Sequence, residues 1–337
     1  MLSDNKKNPV QDSQVKPSRL SPGFSTIVKI CITVTLLTFI YSQLELSAVM
    51  EKLSQLDFSS VLFIAFLYLF SQLINSLKWR IFLYEAGIRV STLAILRAFF
   101  LGMFINTFGI GTLGGDVARA MAIPCQKGFR AASLATVLAD RIHGLTSLLI
   151  LGTVSLFIVR PMYVPEYVYY ILLLFIIALL SSWILGPRIV LFCIPKKYSF
   201  RDKLERAFKA FPKKPSSLIL ATLISFIFHS TQIFMGYKIF QAISTPIDIS
   251  LAYTAIPFIN VASSLPITIN GLGVREAVVI YMLQPAGVLN ESSVVFAAVW
   301  VLVVSLVNAI GGLIVVPSYG DTLSNITRLR KEENQHI

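Results

Sequence analysis

Charged residues are scarce in this chain. Asp, Glu, Lys and Arg make up 14% of its 337 residues, against roughly 25% in soluble domains, and that shortfall excludes an ordinary soluble globular protein. Cysteine is scarce too. Cys31, Cys125 and Cys193 stand far apart, without the spacing of a disulfide framework or a zinc site. Only three histidines occur, His143, His229 and His336, and they form no motif; no metal and no cofactor are expected. The glycine-rich stretch near residue 114 lacks the Gly-Lys-Ser/Thr ending of a P-loop. Long polar stretches are missing as well. The first two dozen residues, the run around Lys196–Ser217 and about the last fifteen residues are each too short to build a core. Activity is therefore expected in the membrane part or at its surface.

What fills the chain is apolar sequence, 55% hydrophobic residues. Phe24–Gln43, Ser60–Leu77, Ile142–Val159, Tyr167–Leu185, Leu218–Phe240 and Val294–Val316 each approach the ~20 residues that cross ~30 Å of hydrocarbon. The first is about twice as long as a signal-peptide core and reads as a retained anchor. Leu93–Ile110, which contains Arg97, and Ser250–Leu283, which contains Pro257 and Pro266, are apolar but interrupted. They suit tilted spans or re-entrant hairpins. The sequence thus predicts an all-α integral membrane protein, a polytopic helix bundle of about six to eight spans with two interrupted elements. Residues 1–23 form a basic tail, 319–337 a second tail, and 24–318 the membrane domain.

The formal net charge of +12 does not indicate nucleic acid, because the basic residues lie between apolar segments. Lys78–Arg97, Arg119–Arg141, Arg188–Lys214 and both tails hold most of them, while the loop with Glu45, Glu51 and Asp57 is acidic. By the positive-inside rule the N- and C-termini and the central loop 196–216 are cytoplasmic. In that loop Phe200, Leu204, Phe208 and Phe211 recur at helical spacing opposite Lys203, Arg206 and Lys209. This suits either an amphipathic helix on anionic headgroups or a solvated loop that sets topology.

Two glycine-centred motifs carry charge inside the apolar background. In the first, Asn106 precedes Gly109-Ile110-Gly111-Thr112-Leu113-Gly114-Gly115-Asp116-Val117-Ala118-Arg119. The glycines end a helix, Asp116 sits where a helix cap would, and Arg119 follows one turn on. The second reads Pro266-Ile267-Thr268-Ile269-Asn270-Gly271-Leu272-Gly273-Val274-Arg275-Glu276; a helix restarts with Arg275 and Glu276 in its first turn. Bare charge in hydrocarbon is tolerated only in a cavity or a pair. Each motif reads either as a cavity-lining half-helix that holds an anion or as a capped break whose charges neutralise each other. Asp116 with Arg275, or Glu276 with Arg119 or Arg141, are candidate cross-pairs. Asp140-Arg141 is a third charged pair, placed at the cytoplasmic end of the span that starts at Ile142. His143 and His229 read as packing residues. One motif in each half suggests an internal pseudo-repeat.

In order and spacing, Asn106, Gly114-Gly115-Asp116-Val117-Ala118-Arg119, Asp140-Arg141 and Pro266…Gly271-Leu272-Gly273-Val274-Arg275-Glu276-Ala277 resemble the lysylphosphatidylglycerol synthase membrane-domain family, from about Phe24 to Ser318. The resemblance implies a flippase-like lipid-handling protein of the plasma membrane. Its fusion members carry a soluble aminoacyl-transferase domain for which this chain has no stretch, so synthase activity is not expected. Many relatives have proline before the first Gly-Gly-Asp and Pro-Gly-Gly before the second motif, where this chain has Gly109-Ile110-Gly111 and Ile269-Asn270-Gly271; substrate choice is where such changes bear.

The reading is a translocase, not an enzyme. Its partners are anionic membrane lipids, with envelope-lipid or glycan-lipid biosynthetic proteins as associates. Asp116, Arg119, Arg141, Arg275 and Glu276 bind substrate, Gly114, Gly115, Pro266, Gly271 and Gly273 shape the breaks, and Asn106, Asp140 and Asn270 support them. A membrane-embedded headgroup transferase and an accessory subunit of a lipid-linked glycan pathway are the alternatives.

Overall fold

In the computed structural model of the chain, the described residues are 22–109, 112–125, 129–194, 214–265 and 267–319, with isolated positions 201, 205, 208 and 211. The two tails, most of loop 196–216 and Pro266 lie outside them. The described residues form α-helices α1 (Pro22–Tyr41), α2 (Leu46–Ser54), α3 (Phe58–Glu85), α4 (Thr92–Phe108), α5 (Thr112–Ala122), α6 (Arg130–Val159), α7 (Glu166–Cys193), α8 (Pro215–Ala242), α9 (Ile249–Ser264), α10 (Val274–Leu283) and α11 (Asn290–Val315), with short 3-10 turns at Gln284–Ala286 and Val316–Tyr319.

The protein is an all-α membrane protein. Four helices, α3, α6, α8 and α11 extended to Tyr319, are long and apolar enough to cross a bilayer by themselves. The pair Ile27–Tyr41 and Leu46–Ser54, bent by 92°, makes a fifth crossing if taken as one span. Helix α7 runs 28 residues, and its Glu166–Ser181 stretch is apolar. Leu62, Phe66, Ile171, Leu174, Leu306 and Leu313 point outward, as lipid-facing positions do in a bundle whose surface meets hydrocarbon rather than water.

Local sequence sets the ends. Asp57 starts α3 by accepting the Ser60 amide at 2.6 Å, and Ser91 starts α4 by accepting Ala94 N–H at 3.2 Å, both side chains standing in for missing helical acceptors. Pro215 occupies the first turn of α8, where its absent N–H costs nothing. Two expected spans are longer than their apolar runs. Helix α3 continues through Lys78-Trp79-Arg80 to Glu85, and α6 begins at Arg130. Asp140-Arg141 therefore lies inside α6, not at the end of a span. Charge there does not end the helix because other helices supply its partners.

Two four-helix units repeat with opposite sense. Helices α3 to α6 have 28, 17, 11 and 30 residues; α8 to α11 have 28, 16, 10 and 26. Helices α3 and α8 pack side by side and antiparallel. At one end Glu85 accepts from Ser217 at 2.8 Å and pairs with Lys214 at 3.5 Å; at the other, Lys52 donates to Thr245 at 2.9 Å. The similar helix lengths and the antiparallel α3 and α8 are compatible with the pseudo-repeat expected from the motifs, in an inverted sense.

In each unit the middle helices form a hairpin too short to cross. At 1.5 Å per residue, α4 and α5 reach about 26 and 16 Å, and α9 and α10 about 24 and 15 Å, against ~30 Å of hydrocarbon. Helix α4 packs on α5, and α9 on α10. Because α3 and α8 run in opposite directions, the hairpins that follow them enter from opposite ends. Their tips meet. Asn270 Nδ2 donates to the Thr107 carbonyl at 2.6 Å, and Thr107 Oγ1 accepts from Asn308 at 2.8 Å.

The core lies on both sides of this junction. One apolar cluster joins α8, α9 and α11 through residues such as Phe240, Ile256 and Phe296; another joins α3, α4 and α5 through Trp79, Phe99 and Leu101. Of the expected loop helix, Phe211 and Phe208 are described. Their rings lie 5.8 Å apart, and Phe211 packs on Trp183 at 5.3 Å, so this phenylalanine meets protein.

Candidate functional site

The first hairpin depends on a close approach. Gly102 on α4 faces Gly115 on α5, and a Cβ on Gly115 would run into the Gly102 carbonyl. Asn106 Oδ1 accepts the Gly115 amide at 2.9 Å. The break itself comes earlier than the sequence suggests. Helix α4 ends at Phe108, with Gly109 as its cap, and Gly114 and Gly115 lie inside α5. Gly115 therefore serves packing. Asp116 is a mid-helix residue, not a cap, and its carboxylate is free to meet arginine.

Five charged side chains join there. Asp116 takes Arg141 in a two-pronged contact, Nη2 to Oδ1 at 3.0 Å and Nε to Oδ2 at 2.5 Å. Arg119 Nε stands 3.4 Å from Asp116 Oδ1. The Nη2 of Arg119 donates to Asp140 Oδ2 at 3.2 Å, and Lys78 Nζ lies 3.0 Å from Asp140 Oδ1. The order is Lys78–Asp140–Arg119–Asp116–Arg141, so each carboxylate is shared by two cations. Three positive charges face two negative ones, leaving a surplus of one.

Burial makes that surplus matter. Lys78, Asp116, Arg119 and Asp140 are all buried, while the Arg141 side chain is 42% exposed. Buried ion pairs are stabilised only when geometry and hydrogen bonds offset desolvation. Here Arg119 also lies over Trp79 at 5.0 Å and Phe99 at 5.5 Å, contacts that favour a weakly hydrated guanidinium. Lys78 reaches Asp140 across Gly144, where a Cβ would stand 3.1 Å from its Nζ.

The cluster borders a cavity of about 540 Å³. Helices of both units line it: Gln72 and Asn75 on α3, Asn106 on α4, Gly144 on α6, His229 and Gln232 on α8, Asn260 and Ser264 on α9. Asn75 Oδ1 is buried without a hydrogen-bond partner. His229 Nε2 donates to the Gly144 carbonyl at 2.9 Å, and His143 Nε2 and Thr222 Oγ1 are hydrogen-bonded at 3.1 Å.

The second hairpin is built differently. Asn270, Gly271 and Gly273 take positive φ values of 52°, 74° and 81°, backbone that glycine, and to a lesser extent asparagine, adopts with little strain. Glu276 Oε2 accepts the Gly273 amide at 2.7 Å and so caps α10. Arg275 Nη1 donates to Asn260 Oδ1 at 3.1 Å, and its guanidinium lies 5.0 Å over Trp300.

Asp116, Arg119, Asp140 and Arg141 thus come together with Asn106 beside them. Arg275 and Glu276 stand apart from the cavity lining, and Arg275 is tied to it through Asn260. The cross-pairs expected between the motifs do not form. Asp116 is held by Arg119 and Arg141 instead of Arg275, and Glu276 caps its own helix. The sequence reading singles out neither Lys78 nor Gln72, because Lys78 counts there among the basic flanks of the spans; Asn75, with Asn260 and Asn308, reads there only as a polar residue that hydrogen-bonds between helices. The spacing of three from Gln72 to Asn75 to Lys78 is the signal, a polar stripe on one face of an otherwise apolar helix.

Comparison with known proteins follows the same boundaries. The family model described as the lysylphosphatidylglycerol synthase TM region matches residues 26–312, which includes both hairpins and the whole ion cluster. A UPF0104 membrane protein of Pyrococcus horikoshii is 29% identical over 116 residues, 34% of this chain and 35% of that protein. The match spans about a third of the relative's length.

Proposed function

Since this chain belongs to the lysylphosphatidylglycerol synthase TM-region family, we propose that it moves a lipid with an anionic, phosphate-containing headgroup between membrane leaflets. The observation that carries this reading is the surplus cation of the Lys78–Asp140–Arg119–Asp116–Arg141 cluster beside a cavity that mixes apolar walls with polar groups such as Gln72, Asn75 and Gln232. A headgroup phosphate supplies the missing negative charge, and arginine suits it as a planar, forked donor. Arg141, the most exposed member, meets the phosphate first. Asp116 and Asp140 hold the arginines in place, and Asn75 and Gln232 offer polar contacts to the rest of the headgroup. The acyl chains stay in the bilayer.

In this reading the protein is a transporter, not a transferase. It works in the plasma membrane with both termini in the cytoplasm, an orientation supported by the basic residues flanking its apolar spans. Movement follows a lipid gradient or an ion, since the chain has no P-loop motif. Its partners are the lipids themselves and the envelope-lipid or glycan-lipid enzymes that make or use them.

The test is leaflet exchange of headgroup-labelled phosphatidylglycerol in proteoliposomes, read by quencher accessibility. The parent protein exchanges the label. Asp116→Ala and Arg119→Gln each slow exchange by about tenfold or more, the equivalent of one charge-assisted hydrogen bond, with membrane insertion unchanged. Exchange at the parent rate in both variants would remove the cluster from the site.

A further inference from the structure

Arg275 is a cation inside the bundle that forms no ion pair among the described residues. Its Nε is buried and has no hydrogen-bond partner. Its one side-chain hydrogen bond runs from Nη1 to Asn260 Oδ1, 3.1 Å away. Among the described residues no carboxylate reaches it at ion-pair distance, and the adjacent Glu276 places Oε2 on the Gly273 amide. Cations at membrane depth ordinarily face a partner or water.

The first unit shows what is missing. Arg119 and Arg275 belong to corresponding short helices, α5 and α10, and each guanidinium lies 5.0 Å over a tryptophan, Trp79 or Trp300. Around Arg119, Nη2 donates to Asp140, and Nε, which like that of Arg275 has no hydrogen-bond partner, stands at ion-pair distance from Asp116. Around Arg275 the side-chain partner is a neutral amide. That amide belongs to Asn260, which also lines the cavity containing the ion cluster.

We propose that Arg275 is a second anion site, which receives the headgroup phosphate monoanion after it leaves the Arg119–Arg141 cluster, with Asn260 as the residue displaced on transfer. The proposal rests on the transport reading above and adds the route. Asn260 releases Arg275 when the phosphate arrives, and the two N–H faces of the guanidinium then hold the phosphate oxygens over Trp300. A neutral partner suits this role, because a carboxylate there would hold the arginine against an incoming anion.

Asn260→Asp tests it with little change of shape. The new carboxylate pairs with Arg275 and occupies the site. In phosphatidylcholine vesicles carrying headgroup-labelled phosphatidylglycerol, exchange falls by about tenfold or more, while Asn260→Gln and Arg275→Lys retain part of it. Binding is read separately from the fluorescence of Trp300, taken as the difference between the parent and Trp300→Phe. That signal changes with phosphatidylglycerol vesicles, not with pure phosphatidylcholine, and the change disappears in Asn260→Asp. Parent-like exchange and parent-like fluorescence response in Asn260→Asp would overturn the second site while leaving the transport reading intact. A parent that exchanges no lipid yet shows the Trp300 response overturns the transport reading alone. A response to inorganic phosphate equal to that with the lipid overturns the lipid assignment of the site.

Discussion

The two hairpins have nearly the same dimensions and solve the problem of charge in a membrane in opposite ways. The first, α4–α5, is closed by backbone contact between Gly102 and Gly115 and joins a network in which every carboxylate serves two cations. In the second, α9–α10, the charges are handled singly. Glu276 caps its helix, and Arg275 leans on an amide and an indole. The first hairpin is thus electrostatically committed to its neighbours, while the second keeps a cation in reserve. A common architecture sets where the half-helices go, and the identity of a few side chains sets whether each holds its charge or offers it.

Removing a shared carboxylate should expose this difference most strongly. Asp140→Asn leaves Lys78 and Arg119 buried and short of an anion, and should cost about 3–5 kcal/mol; Glu276→Gln, which weakens one cap, should cost about 1 kcal/mol. Thermal unfolding in detergent orders the two, and equal losses would erase the distinction. Next in size is the backbone approach. Gly115→Ala should destabilise by about 1–3 kcal/mol through overpacking against Gly102, whereas Gly114→Ala, with only an ordinary contact to Ile105 at 3.8 Å, should stay within about 0.5 kcal/mol of the parent. Chemical denaturation of the pair checks this.

The tip contact is weaker. Asn270→Ala removes the hydrogen bond to Thr107, and interhelical bonds in membranes are worth around 0.6 kcal/mol; hydrogen exchange of the 267–273 segment should quicken with little change in global stability. Smallest is a control at the start of α3, outside both hairpins. The Ser60 amide, followed by the Ser59 and Ser60 hydroxyls, lowers the Asp57 carboxyl pKa. A lowered folded pKa stabilises the protein fully above the unfolded value, near ~3.9, and that stability is lost as pH falls through the folded pKa. Asp57→Asn should therefore melt with a flatter pH dependence below about pH 4, and leave both hairpins unaffected by hydrogen exchange.

The membrane class and the helical breaks were legible because hydropathy and glycine act locally. All six apolar runs appear as helices, although α6 starts well before its run, at Arg130, and α3 and α7 continue past theirs to Glu85 and Cys193. Where sequence and structure part, the cause is tertiary. Lys78 and Asp140 looked like ends of spans because charge normally ends an apolar run, yet each is buried against the other. Which arginine Asp116 would choose could not be read from spacing, since Arg141 is 25 residues away on another helix. A repeat is hinted at in the sequence only by two dissimilar glycine motifs; the similar helix lengths and the antiparallel α3–α8 pair need the structure.

Sharing carboxylates also governs time. In the proposed transport reading, a phosphate arriving at Arg119 or Arg141 competes for N–H groups near Asp116 and Asp140, so its net gain is a difference between two good contacts. Small differences mean modest affinity and short residence, because complexes of related geometry differ chiefly in how fast they come apart. A lipid at this cluster should be hard to trap at equilibrium and easy to follow as flux.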